Sequence, residues 1–192
     1  MMNYEAVVIG TSMGGLEALR QLLAPLQRNF TLPIFIVQHR QATAEEYLTT
    51  FLNEHCVLAV KEAVSGEAIQ AGTVYLAPAD YHLLIEPNHT LSLSIDAKVN
   101  YCRPAIDVLF ETAAEVYQTH LIGILLTGAN HDGTAGLRKI KHHGGFTLVQ
   151  QPSTAVAKIM PLTAIQAKVV DRVGTLAEIA LFLNQLFPLK SS

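Results

Sequence analysis

The chain has 192 residues, half of them apolar and 15% charged. An average soluble chain carries about 25% charged residues, so much of this one is buried and disorder is excluded. A net charge of −3 gives no electrostatic footprint for nucleic acid or an acidic membrane.

The length fits one domain spanning residues 1–192. A chain of this size buries roughly 70% of its unfolded surface and needs no disulfide or metal staple. Cys56 and Cys102 are too few for a disulfide framework and read as buried thiols in a reducing compartment. No run approaches the ~18 consecutive apolar residues of a membrane helix, so no membrane insertion is expected. Met1–Glu5 lacks the basic and apolar regions of a signal peptide, and the expected location is the cytoplasm.

Ala6-Val7-Val8-Ile9 is short, continuous and β-branched, as in a strand buried on both faces of a parallel sheet. The turn Gly10–Gly15 follows. Leu16, Leu19, Leu22, Leu23 and Leu26 then recur at helical spacing until Pro25 limits the helix. Ile34–Val37 is a second buried run, ending at Gln38-His39-Arg40. Ala44–Glu54 reads as a helix, and Val57–Val60 and Thr73–Ala77 read as strands. His82–Ile85 and Leu91–Ile95 flank Pro87-Asn88-His89 as a hairpin. Pro104 suits the first turn of a helix running to about Tyr117. Leu121–Leu126 is the most hydrophobic strand and ends in Thr127–Gly133. A helix from about Thr134 to His143 is closed by Gly144-Gly145. Phe146–Val149 is a strand and Leu176–Leu186 a final helix.

This alternation predicts a doubly wound α/β fold: a largely parallel sheet, helices on both faces and a small antiparallel hairpin. Ligands of such sheets bind at the carboxyl ends of the strands. Three turns at such ends carry Ser12, His39 and Asp132. Ser12 lies on a glycine-flanked strand-to-helix turn, where a hydroxyl can project beside free helix N–H groups. It could equally cap the helix. Gly10-x-Ser12-x-x-Gly15 is also a dinucleotide fingerprint without its middle glycine, and the second strand lacks the acid that holds the ribose. From the turn alone, capping ranks first, nucleophile second and nucleotide third. His39 changes that order, because a base at the end of the next strand can stand close to Ser12. Asp132 could cap the helix that follows it, or orient His39 as the acid of a triad does.

With these residues in view, the chain resembles the catalytic domain of the CheB family of chemotaxis receptor methylesterases. The matching pieces are Val8–Gly15, Val37-Gln38-His39, Gly72–Pro78, Arg103–Phe110, Leu126-Thr127-Gly128 with Asp132-Gly133, and Met160-Pro161. The resemblance implies a serine hydrolase with Ser12 as nucleophile, His39 as base and Asp132 as its orienting acid. It implies hydrolysis of glutamyl methyl esters on methyl-accepting chemotaxis-type receptors, releasing methanol, and deamidation of receptor glutamines. The receptor is the implied protein partner, and a separate receiver or signalling protein is a second. Few residues precede the first strand, so no fused receiver is expected.

The sequence also departs from the family. Met13 follows the serine where Thr is common. Gly128-Ala129-Asn130-His131-Asp132 replaces Gly-Met-Gly-x-Asp. Asn100-Tyr101-Cys102-Arg103-Pro104 lacks one arginine, and His39 is followed by Arg40-Gln41 instead of Met-Pro. These changes leave open a binding module without turnover.

Backbone N–H groups near Met13, Ala129 and Asn130 are candidates for holding an oxyanion. Arg103 could bind a substrate carboxylate or peptide carbonyl, or serve a structural ion pair. Arg138, Lys139 and Lys141 form a basic helix face that reads first as solvated and second as a dock for acidic receptor helices. No spacing matches a zinc motif, and no metal or organic cofactor is expected.

Overall fold

A computed structural model describes residues 3–39 and 45–187. The predicted helix start at Ala44, and Arg40 and Gln41 after His39, lie outside the described residues. The strands are β1 (Ala6–Thr11), β2 (Ile34–Gln38), β3 (Ala59–Glu62), β4 (Thr73–Leu76), β5 (His82–Ile85), β6 (Leu91–Ser94), β7 (Leu121–Leu125), β8 (Phe146–Gln150) and β9 (Arg172–Gly174). The helices are α1 (Gly15–Leu23), α2 (Glu45–His55), α3 (Ile106–Tyr117), α4 (Thr134–His142), α5 (Ile159–Gln166) and α6 (Leu176–Gln185).

Seven strands form one parallel sheet in the order β3-β4-β2-β1-β7-β8-β9. β5 and β6 make a separate antiparallel hairpin. The expected fold class therefore holds. Successive strand residues face opposite sides, and both sides are apolar. On β1, Val7 and Ile9 pack with Leu19 and Leu22 of α1, Leu52 of α2 and Ile179 and Leu183 of α6. Ala6 and Val8 pack on the other side with α3, α4, α5 and the hairpin. This two-sided burial explains the unbroken apolar runs of the central strands.

β1 lies between β2 and β7. The chain leaves β1 through α1 toward β2 and leaves β7 through α4 toward β8. The strand order therefore reverses between β1 and β7, which is where a crevice opens at the carboxyl edge of an α/β sheet.

Several local expectations are corrected. The strand expected at Val57–Val60 begins two residues later, at Ala59. Pro104 precedes Ala105, the N-cap of α3, instead of sitting in its first turn. α5 and β9 are additional to the elements expected from the sequence. Both cysteines are half-buried, not buried. No helix among the described residues is long and apolar enough to cross a membrane.

Candidate active site

The serine turn is held from three directions. Ser12 N donates to Thr127 O at 2.9 Å, joining the ends of β1 and β7. Thr127 Oγ1 donates to Met13 O at 2.8 Å and accepts from Ala157 N at 2.9 Å. Gln38 Nε2 donates to Ser12 O and to His39 O, each at 2.9 Å. Gly14 has φ +80, a left-handed conformation that favours glycine, and a side chain there would also strike Val156.

The capping reading of Ser12 does not hold. The N-cap of α1 is Gly14, with no side-chain cap. The Ser12 side chain is half-buried and makes no hydrogen bond among the described residues.

His39 stands beside Ser12 through sheet register. Thr11 and Gln38 are the last paired residues of β1 and β2, and Ser12 and His39 directly follow them. His39 N donates to Thr11 O at 3.0 Å.

Asp132 arrives from the β7 end and is fully buried. His39 Nε2 lies 2.8 Å from Asp132 Oδ2, with the imidazole only 11% exposed. The Asp132 carboxylate also accepts from Ile106 N at 2.6 Å, Asp107 N at 3.1 Å and Asn100 Nδ2 at 3.0 Å. It therefore caps α3, not α4 as one sequence reading allowed; the N-cap of α4 is Gly133. Burial pushes the Asp132 carboxyl up, but the hydrogen bonds from His39, Ile106 and Asn100 outweigh it and hold it below the usual carboxylate range. It is thus an acceptor at neutral pH. A carboxylate can only accept, so Nε2 carries the imidazole proton and Nδ1 carries the lone pair.

Asn130 occupies that lone pair. Its Nδ2 lies 3.1 Å from His39 Nδ1, and its Oδ1 accepts from Asp132 N at 3.2 Å. Sequence reasoning placed Asn130 here only for its backbone. Cys102, not singled out for the site, brings Sγ to 3.8 Å from His39 Nδ1. Ser12 and His39 share no hydrogen bond here.

The remaining candidates divide. The N–H groups of Met13, Ala129 and Asn130 find no acceptor among the described residues, as an oxyanion donor requires. Arg103 makes no hydrogen bond to the His–Asp pair. Its Nη1 donates to Ile95 O at 2.8 Å and Asp96 O at 3.1 Å, and it forms no ion pair among the described residues. On α4, Arg138 and Lys139 are exposed, and Lys141 pairs with Asp171.

A doubly wound parallel sheet that gathers polar side chains, including a buried His–Asp pair, at its switch point has the layout of an α/β enzyme. The sequence model of the CheB methylesterase family matches residues 7–183, and the chain belongs to that family. It is 51% identical over 179 residues to a chain of Leptospira interrogans named for protein-glutamate methylesterase and protein-glutamine glutaminase activities, covering 93% of each. It is 35% identical to the protein-glutamate methylesterase/protein-glutamine glutaminase of Clostridium acetobutylicum, spanning 93% of this chain and 52% of that one. The crystal structure of the Thermotoga maritima CheB methylesterase catalytic domain superposes with a TM-score of 0.93 at 35% identity, over 96% of this chain and 99% of that one.

Proposed function

We propose that this chain hydrolyses glutamyl methyl esters on methyl-accepting chemotaxis-type receptors, releasing methanol, and deamidates receptor glutamines by the same route. The observation carrying this reading is the buried Asp132–His39 pair in register with the free Ser12 hydroxyl.

Ser12 Oγ attacks the ester carbonyl while His39 Nδ1 takes its proton. Asp132 keeps Nε2 protonated and stabilises the imidazolium that forms. The oxyanion is met by backbone N–H groups, with Met13 and the Ala129–Asn130 turn as donors. His39 Nδ1 returns the proton to the departing methanol, or to ammonia from a glutamine. Water then cleaves the acyl-enzyme with Nδ1 again as base. No metal or organic cofactor takes part. Asn130 must leave Nδ1 before Ser12 can use it.

Exposed Met13, Tyr101 and Val156 support a protein substrate, since they place apolar side chains around or next to these loops. The test is methanol release from a methylated receptor signalling fragment, with Ser12→Ala alongside. Release that disappears in a folded Ser12→Ala variant is expected. Release that persists removes Ser12 from the mechanism, and none from the wild-type chain overturns the substrate reading.

A further inference from the structure

Two potential ligand atoms, His39 Nδ1 and Cys102 Sγ, meet beside the Asn130 amide on one side of the imidazole. Cys102 Sγ lies 3.8 Å from Nδ1, and Asn130 Nδ2 lies 3.1 Å from Nδ1 and 3.6 Å from Sγ. Tetrahedral zinc, with Zn–N about 2.0 Å and Zn–S about 2.3 Å, keeps its ligand atoms about 3.3–3.7 Å apart. The Nδ1–Sγ separation is already close to that range, and the Asn130 amide stands at a similar distance from both atoms. The other imidazole nitrogen donates to Asp132, the arrangement that orients metal-bound histidines. The donor atoms of His39, Cys102 and Asp132 all lie within 4.8 Å of one another. Asp132 sits on the Nε2 side, so it supports the imidazole from outside when Nδ1 binds an ion.

We propose that this cluster is a zinc site, with His39 Nδ1 and Cys102 Sγ as direct ligands. Asn130 becomes a third ligand if its amide rotates to present Oδ1, which gives up the 3.2 Å bond from Asp132 N. Water fills the fourth position. On binding, a Zn–S bond forms, the Cys102 thiol proton leaves to solvent, and Nε2 keeps its proton on Asp132. A thiolate and an imidazole select zinc over magnesium or calcium, which prefer oxygen. The bound ion takes the lone pair needed to activate Ser12, so zinc switches hydrolysis off. That consequence rests on the proposed reaction; the binding does not.

The binding test is cobalt titration of the metal-free chain, read by absorption. One equivalent is expected to give a thiolate-to-cobalt charge-transfer band that zinc abolishes. The band should vanish in Cys102→Ser and Cys102→Ala and survive in Cys56→Ser. No band in the wild type, or a band persisting without Cys102, overturns the site. The second arm is methanol release with zinc. Zinc at one equivalent should lower the wild-type rate at least tenfold, reversibly by chelation, and leave Cys102→Ser within about twofold of its own metal-free rate. A cobalt band with an unaffected rate overturns the switch. A correct cobalt band with no release even from metal-free enzyme overturns the proposed reaction while the site stands.

Discussion

Asp107 and Asp132 each cap the other's helix. Asp132 accepts the N–H groups of Ile106 and Asp107 at the start of α3, and Asp107 Oδ1 accepts those of Gly133 and Gly136 at the start of α4, at 2.9 and 2.7 Å. Asn100 bridges the pair, donating to Asp107 Oδ2 at 2.8 Å and Asp132 Oδ1 at 3.0 Å. Asn100 does so from a left-handed backbone conformation, φ +51. Two helix N-termini offer positive dipole ends, which lets two carboxylates share one buried spot. The carboxylate that orients His39 is therefore the same one that caps α3.

Substitution at Asp132 should damage stability and turnover together. In Asp132→Asn an amide replaces one acceptor oxygen, so its N–H₂ faces either backbone donors or His39 Nε2. A rate loss of about 10³–10⁴-fold is expected from the misoriented imidazole. Unpaired donors should remove about 1–3 kcal/mol of stability. Asp107→Asn touches neither His39 nor Ser12 and should keep its rate within about threefold. Single-turnover rates and urea denaturation of both variants separate these outcomes. Equal rate losses would mean that Asp132 acts only through the fold.

Asp107 should make stability fall as pH rises. Burial pushes its carboxyl up to about 6; the Gly136 N–H opposes this, and the charge of Asp132 adds to it. Below about 3.8 the group is protonated whether folded or unfolded, and its favourable contribution is fully present. Between 3.8 and about 6 only the folded chain holds the proton, so stability declines across that window. The shift corresponds to roughly 1–3 kcal/mol. Relative to wild type, Asp107→Asn should gain that amount between pH 4 and pH 7. Asp132 works in the opposite sense and only below its ordinary value, outside this window. Denaturation curves at four pH values check the slope, and parallel curves would contradict it.

The parts of this architecture visible in the sequence are those written as contiguous runs. β1, β2 and β7 show as apolar runs because both of their faces are covered. Ser12, His39 and Asp132 could be grouped because each follows such a run. α5 escaped because Ile159–Gln166 has no polar stripe and carries Pro161 in its first turn. β9 is three residues long. β3 starts late because Val57 is exposed, while Asn53 pairs with both backbone groups of Val60. The contacts of Asn130 and Cys102 with His39 join residues 91 and 63 positions apart, and no spacing rule reaches that far.

Removing the Asn130 amide should speed the first step. Ser12 must compete with Asn130 Nδ2 for the Nδ1 lone pair. A neutral hydrogen bond is worth about 1 kcal/mol net, so Asn130→Ala should raise the single-turnover acylation rate by about fivefold. Loss of the Asp132 N–H partner should lower stability slightly. Slower acylation would instead assign the amide to transition-state binding.

Gly15 and Gln38 should be energetically coupled. A methyl group at Gly15 would stand 1.8 Å from Gln38 Oε1 and 2.7 Å from Thr11 Oγ1. Gly15→Ala must therefore displace the Gln38 side chain and break its bonds to Ser12 O and His39 O. Shifts near 1 Å at reacting groups can lower rates about 100-fold, and overpacking typically removes 1–3 kcal/mol of stability. Gln38→Ala loses the same two bonds without a clash, so it should be milder in stability and similar in rate. The clash needs both side chains, so the double variant should recover part of the Gly15→Ala stability loss. The Thr11 contact remains in it and limits the recovery. A double-mutant cycle on urea midpoints measures the coupling, and strict additivity would show that Gln38 is not what Gly15 makes room for.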